Sequence, residues 1–305
     1  MNFKNKNDMH KEQIYIPVSC LCSVYKGTEK DELTLALKSL LIQEYIPNQI
    51  IIVLDGPIKK DLKYFIHEIK KKYNIIETIS LKNNEGLGKA LKEGLNYCKN
   101  NLIARFDSDD INMNNRLKIQ YDFLMKNKDI DVLGSYVKEY NFRNFSLNSK
   151  IKKVPINDED IKKNMLIRNP INHPSIIFKK DRIENAGSYD DMKFFEDYYL
   201  WLKCKKLSFK FHNINQALVS MRRKNNLVRR KGYKYILYEM KFSYNCFIKR
   251  LINFWTLFLF IFKLFIRINP DFILQLAYTF DPNRTNYIED LKLKKYITVL
   301  KKYNL

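Results

Sequence analysis

Three adjoining pieces of sequence decide the fold: VSCLCSVY (18–25), DELTLALKSLLIQ (31–43) and QIIIVLDG (49–56). A short apolar run reads as a buried strand, and apolar residues spaced three and four apart read as an amphipathic helix. Strand, helix, strand is therefore the local reading. The alternation continues through KDLKYFIHEIKKKY (60–73), IIETISL (75–81), GLGKALKEGLNYCKN (86–100), NLIARF (101–106), NRLKIQYDFLMKN (115–127) and IDVLGSYV (130–137). Such a series predicts an α/β, Rossmann-like chain with a mostly parallel sheet and helices on both faces. Ligands of open sheets of this kind bind beyond the carboxyl ends of the strands. Three of those ends carry polar or acidic residues: Tyr25-Lys26-Gly27, Asp55-Gly56-Pro57 and Asp107-Ser108-Asp109-Asp110. They are expected to converge on one rim.

Beyond about residue 145 the pattern becomes irregular. Pro155, Pro170 and Pro174 interrupt it, and a strand-like SIIFKK (175–180) stands among them. With 305 residues, 46% of them hydrophobic, the chain can bury a core of its own, so disorder is excluded as the default. Net charge is +22, and residues 201–305 hold 22 basic against 5 acidic side chains, or +17 of that total. The C-terminal third therefore asks for an anionic neighbour: nucleic acid, anionic lipid or a phosphorylated substrate.

Residues 251–262 (LINFWTLFLFIF) carry no charge and the apolar run resumes after Lys263. The whole is shorter than the ~20 residues of a clean membrane span, which points to an interfacial or re-entrant helix on an anionic surface. No RNA- or DNA-binding motif accompanies the charge, so nucleic acid is not the expected partner. The first sixteen residues are polar and lack the apolar core of a signal peptide, which predicts a cytoplasmic protein associated peripherally with the inner face of the membrane. Cys20, Cys22, Cys98, Cys204 and Cys246 are odd in number and scattered, the pattern of reduced thiols. Cys20 and Cys22 read as two residues on one face of a strand rather than as metal ligands.

RFDSDD (105–110) places three carboxylates within four positions directly after an apolar strand. Their mutual repulsion is costly unless a cation neutralises it. Hard oxygen ligands favour Mg2+ or Mn2+, held by one or two carboxylates together with substrate phosphates. Asp107 and Asp109 are the candidates for ribose and metal contact, with Asp110 as a support. The competing reading is a helix start in which Asp110 or Asn112 caps the helix holding Leu117 and Phe123.

VSCLCSVYKG, IIIVLDGP, NNEGLGKALKEGL, LIARFDSDD and FFEDYYLW, in that order and covering roughly residues 17–205, resemble the family 2 glycosyltransferases with the GT-A fold, bacterial surface-polysaccharide transferases above all. The resemblance implies an inverting, metal-dependent enzyme that moves a sugar from a nucleotide diphosphate sugar, with uridine the favoured base, to a saccharide or lipid-linked acceptor. It implies a nucleotide-sugar-binding subdomain over 17–145, an acceptor-binding and catalytic-base subdomain over 146–235, and a membrane-associating region over 236–305, after a polar extension at 1–16. Asp55 matches the acidic residue that contacts the base, although Leu54 stands where relatives often carry a second acid. Asn84, Gly86, Leu87 and Gly88 match a loop near the nucleotide, and Arg105 precedes the DxD element formed by Asp107 and Asp109. Glu196-Asp197 matches the ED motif, which makes Asp197 the catalytic base. His173, in NPINHPS (169–175), and Arg222, Arg223, Arg229 and Arg230 match segments that relatives place near acceptor or diphosphate. A sugar-nucleotide nucleotidyltransferase shares the architecture, but it wants a glycine-rich basic loop near the first strand, where SVYKGTEK has one glycine.

Overall fold

The computed structural model describes residues 14–143, 146–223, 233–268, 285 and 288–303. Its first half is the expected alternation. Strands β1 (Ile14–Val24), β2 (Tyr45–Leu54), β3 (Ile76–Ser80) and β4 (Leu102–Arg105) alternate with helices α1 (Lys30–Leu41), α2 (Lys60–Lys72) and α3 (Leu87–Tyr97). β1 pairs in parallel with β2 and β4, and β2 in parallel with β3.

Period-two alternation within β2 sorts its side chains to two faces. Ile50 and Ile52 join Cys20, Cys22 and the α1 residues Leu33, Ala36, Leu37 and Leu40 in one buried cluster. Ile51 and Val53 join Leu21 and the α3 residues Ala90, Leu91 and Leu95 in another. One sheet thus carries helices on both sides, and its apolar residues are buried twice over. Cys20 and Cys22 share a face as the sequence reading has them, and all five cysteines are buried free thiols.

The second half departs from a parallel sheet. The short β5 (Ile111–Asn112) and helix α4 (Arg116–Lys126) lead to β6 (Val132–Arg143) and β7 (Ser146–Lys152). Helix α5 (Asp158–Asn164), β8 (Ile177–Lys179), α6 (Lys180–Asn185), α7 (Glu196–Lys206) and β9 (Phe211–Arg222) follow. β8 pairs antiparallel with both β4 and β6, β7 antiparallel with β6, and β9 runs parallel to β6 while crossing antiparallel to β5. The sheet is therefore mixed, with β1 through β4 all parallel and the later strands pairing mostly antiparallel, β6 with β9 excepted. The α/β expectation holds, and the antiparallel pairs involve the strands from β5 onward, β8 following directly on Pro170 and Pro174.

Helices α8 (Tyr233–Ile248) and α9 (Phe254–Ile268) pack beyond α7, and after β10 (Ile288–Glu289) a last helix, α10 (Leu291–Lys302), returns to α1, β5 and β7. Tyr296 of α10 donates its hydroxyl to the Asn112 carbonyl at 3.0 Å. No helix among the described residues is long and apolar enough to cross a membrane.

Candidate active site

The rim begins at the end of β2. Gly56 has φ +78°, and a Cβ built on it would stand 2.5 Å from the Asn84 backbone nitrogen, so only glycine lets the 83–86 loop cross here. Asp55 fastens that loop. Its Oδ1 accepts from the Glu85 amide at 2.6 Å, and its Oδ2 accepts from the Gly86 amide and from Asn84 Nδ2 at 3.0 and 3.1 Å. Burial raises the Asp55 carboxyl above its usual range, and the two amides pull it back. Gly86, at φ +88°, then opens α3. Asp55, Asn84 and Gly86 are thus one unit, and Asp55 is first of all the residue that organises the loop.

At the end of β4 the chain turns through Asp107–Asp110, the Asp110 amide donating to the Asp107 carbonyl at 3.3 Å. Arg105 is buried and grips both oxygens of Asp107. Burial raises the Asp107 carboxyl; Arg105 opposes this, while the charges of Asp109 and Asp197 add to it. Asp110 is buried, accepts the Arg222 amide at 3.0 Å through Oδ1, and among the described residues has no hydrogen-bond partner on Oδ2. Burial, followed by the Asp107 and Asp109 charges, lifts its carboxyl well above the ordinary range. Asp110 therefore ties the turn to the end of β9. It does not cap α4: Asn115 occupies that position without a side-chain cap, and Asn112 instead accepts from Arg116.

Helix α7 supplies the third side of the cleft. Asp197 accepts from Asn169 Nδ2 at 2.7 Å through Oδ2 and from the Tyr198 amide at 2.7 Å through Oδ1. The start of α3 packs against it so closely that a Cβ on Gly88 would lie 2.6 Å from the Asp190 carbonyl oxygen and 3.2 Å from Glu196 Cβ. Glu196 keeps partial access to the cleft, yet burial and the neighbouring Asp197 charge push its carboxyl up to about 7.

That shift has a measurable consequence. A carboxyl raised from 4.5 to about 7 binds a proton more tightly in the fold than in the unfolded chain. Its contribution is complete below pH 4.5 and is lost as pH rises toward 7. Glu196→Gln is expected to flatten the fall in stability across that window and to raise the melting temperature at neutral pH. Melting curves with the same pH slope in parent and variant would contradict the assignment.

His173 lies behind the cleft. It is buried, its Nε2 is 2.9 Å from the Tyr189 hydroxyl, and burial, with the Arg105 charge, holds it neutral far below its usual pKa. The histidine packs against Tyr189 and Trp201. Arg222 and Arg223 end β9 in ion pairs, Arg222 with Glu32 at 2.8 Å and Arg223 with Glu139 at 3.7 Å. Arg229 and Arg230 lie outside the described residues.

Two contributors were not singled out from sequence. Arg116 is fully buried and donates to Gln120, Asn112 and the carbonyls of Arg105 and Ile176, bolting β4 to the segment before β8. Burial lowers its pKa to about 10. Nothing in RLKIQYDF marks an arginine as interior. Asn169, which holds Asp197, opens the very NPINHPS segment in which the histidine drew attention.

Loop, acidic turn and helix start meet at the carboxyl ends of the parallel strands, which is the plan of a GT-A glycosyltransferase. The chain belongs to glycosyl transferase family 2, whose family model matches residues 22–185. It is 37% identical over 256 residues to the UDP-Gal:alpha-D-GlcNAc-diphosphoundecaprenol beta-1,3-galactosyltransferase of Escherichia coli, covering 83% of this chain and 91% of that one. It is 31% identical over 224 residues to the amylovoran biosynthesis glycosyltransferase AmsE of Erwinia amylovora, covering 73% and 83%. Among solved structures, S. aureus TarS 1-349 in complex with UDP-GlcNAc superposes with a TM-score of 0.57 at 17% identity, over 75% of this chain and 66% of that one. Family membership makes the chain a glycosyltransferase rather than a nucleotidyltransferase.

Proposed function

We propose that the protein transfers a sugar, with inversion, from a UDP-sugar to a hydroxyl of a lipid-linked saccharide acceptor during surface polysaccharide assembly on the inner face of the membrane. The observation that carries this is the meeting of the Asp55-bound loop, the Asp107–Asp110 turn and Asp197 in one cleft, where Asp197 is close enough for its charge to act on Asp107. The E. coli relative uses UDP-Gal and a diphosphoundecaprenol-linked acceptor, and TarS binds UDP-GlcNAc, which supports both halves of the reading.

In the proposed reaction the acceptor oxygen attacks the anomeric carbon as the bond to the diphosphate breaks. Asp197 takes the hydroxyl proton and UDP leaves. A carboxylate on the face opposite the leaving group is what inversion requires. Asn169 fixes its direction. The loop at 84–88 brings backbone close to the nucleotide, and Asp55 retains acceptor capacity for the uracil imide.

Among the described residues no cluster of three or more acidic, histidine or cysteine side chains forms a ready cation cage. One or two carboxylates suffice for Mg2+ or Mn2+ when the substrate diphosphate completes the shell. Asp109 fits that role, with Asp107 beside it and already committed to Arg105. A divalent ion there supplies charge stabilisation to the departing diphosphate. The apolar stretch 251–266, between Lys249-Arg250 and Arg267, provides the contact with an anionic membrane.

Purified protein incubated with Mn2+ and a panel of nucleotide sugars tests the donor. Nucleotide release confined to a uridine sugar is expected. Release from guanosine or thymidine sugars alone would overturn the uridine assignment.

A further inference from the structure

Helix α8 is apolar on two opposite faces. Tyr235, Phe242 and Cys246 are buried in the core. Tyr233, Leu237, Met240, Tyr244 and Phe247, at intervals of four, three, four and three, form an unbroken stripe on the surface, with Tyr244 65% exposed. Helix α9 repeats the arrangement: Phe260 and Leu264 are buried, while Phe254, Trp255, Phe258 and Phe262 stand out, Trp255 at 72%. An apolar helix face belongs against a core or against lipid, and each of these helices has the core on one side only.

We propose that α8 and α9 together form a docking platform for the surface of an anionic bilayer, and that α8 carries half of it. This rests on the membrane reading above and extends it to a second helix and to the orientation of the catalytic centre. Charge selects lipid over a second copy of the chain. Residues 233–268 hold six basic side chains and one acid, Glu239, which is buried. A symmetric dimer through this face would set basic residues against basic residues, whereas anionic headgroups complement them. Trp and Tyr on the stripes suit the headgroup level, and neither helix, over its described residues, is long enough to cross.

The inward faces tie the platform to the chemistry. Phe242 stacks on Phe195 at 4.7 Å between ring centres and on Phe260 at 5.9 Å, and Phe195 immediately precedes Glu196-Asp197. Docking at the outer stripes therefore fixes the height of Asp197 above the bilayer, where a lipid-linked acceptor presents its hydroxyl.

The test uses the full chain and sedimentation with vesicles of phosphatidylcholine alone or with one quarter phosphatidylglycerol. The triple variant Leu237→Gln, Tyr244→Gln, Phe247→Gln alters α8 only and leaves the 251–266 stretch intact. The parent is expected to co-sediment with anionic vesicles at low salt, and the variant to bind about tenfold or more weakly. Its transfer to a water-soluble acceptor should stay at the parent level, while transfer to a vesicle-embedded acceptor falls. Because its substitutions are on exposed positions, a melting curve matching the parent is expected. Parent-like vesicle binding by the triple variant would overturn the role of α8, and so would a parent dimer that the variant dissolves without any vesicle binding by either. A parent that binds vesicles through α8 but transfers no sugar to any acceptor would instead sink the function proposed above and leave the docking surface standing.

Discussion

Asp197→Asn is expected to lower sugar transfer by about 10²–10⁴-fold, the usual cost of removing a general base. The substitution keeps the size of the side chain and its place at the start of α7. One of the two acceptor oxygens remains to meet either Asn169 Nδ2 or the Tyr198 amide, so the loss to the fold is about one hydrogen bond, roughly 1 kcal/mol. UDP and metal affinities should stay near the parent values, because the proposed proton transfer involves the acceptor. The helix start also stabilises a carboxylate by its dipole, which works against basicity and makes the Asn169 contact more important for aim. Near-normal transfer in Asp197→Asn would leave Asp197 as a helix-start acid. Loss of nucleotide binding would move it to the donor side.

Removal of the divalent ion should be as damaging. Excess chelator is expected to abolish turnover, Mn2+ or Mg2+ to restore it, and Asp109→Ala to cost about 10²-fold or more, given the several kcal/mol that metal charge stabilisation supplies. The fold should survive Asp109→Ala, since Arg105 holds Asp107 and the Arg222 amide holds Asp110 on either side of it. Titration calorimetry of UDP with and without Mn2+ separates binding from chemistry. Full activity in excess chelator would contradict the metal assignment.

Much of this architecture is legible in the chain because its cause is local. The buried strands write themselves as apolar runs such as QIIIVL, and α2 and α3 as apolar positions three and four apart, so the parallel half follows from periodicity. The acidic turn is legible for the same reason: three carboxylates after a strand have few explanations. The mixed half is not, because β6 pairs with β7 and β8 antiparallel and with β9 in parallel at separations that periodicity does not report. Asp55 shows the limit most clearly. Its position after β2 marks it as important, but that its oxygens hold the 84–86 loop depends on a crossing at Gly56 that only the fold reveals. Arg116 is hidden in an otherwise ordinary surface-helix pattern, and its burial becomes intelligible only when four partners from three other segments and its own helix are seen around it. The outer stripe of α8 is written in the sequence at heptad spacing. Whether such a stripe faces the core or the solvent depends on which side of the helix α7 occupies, and α7 takes the other one.

Single-displacement transfer from a UDP-sugar by a carboxylate at the start of α7, as proposed, is read directly by the stereochemistry of the product. Proton NMR of the disaccharide made from an α-linked UDP-sugar and a diphosphate-lipid-linked saccharide reports the configuration of the new bond through its anomeric coupling constant. The large coupling of a β-linked product is expected, formed by the parent and lost with Asp197→Asn. An α-linked product would require retention, and with it a mechanism that a single base opposite the leaving group does not provide.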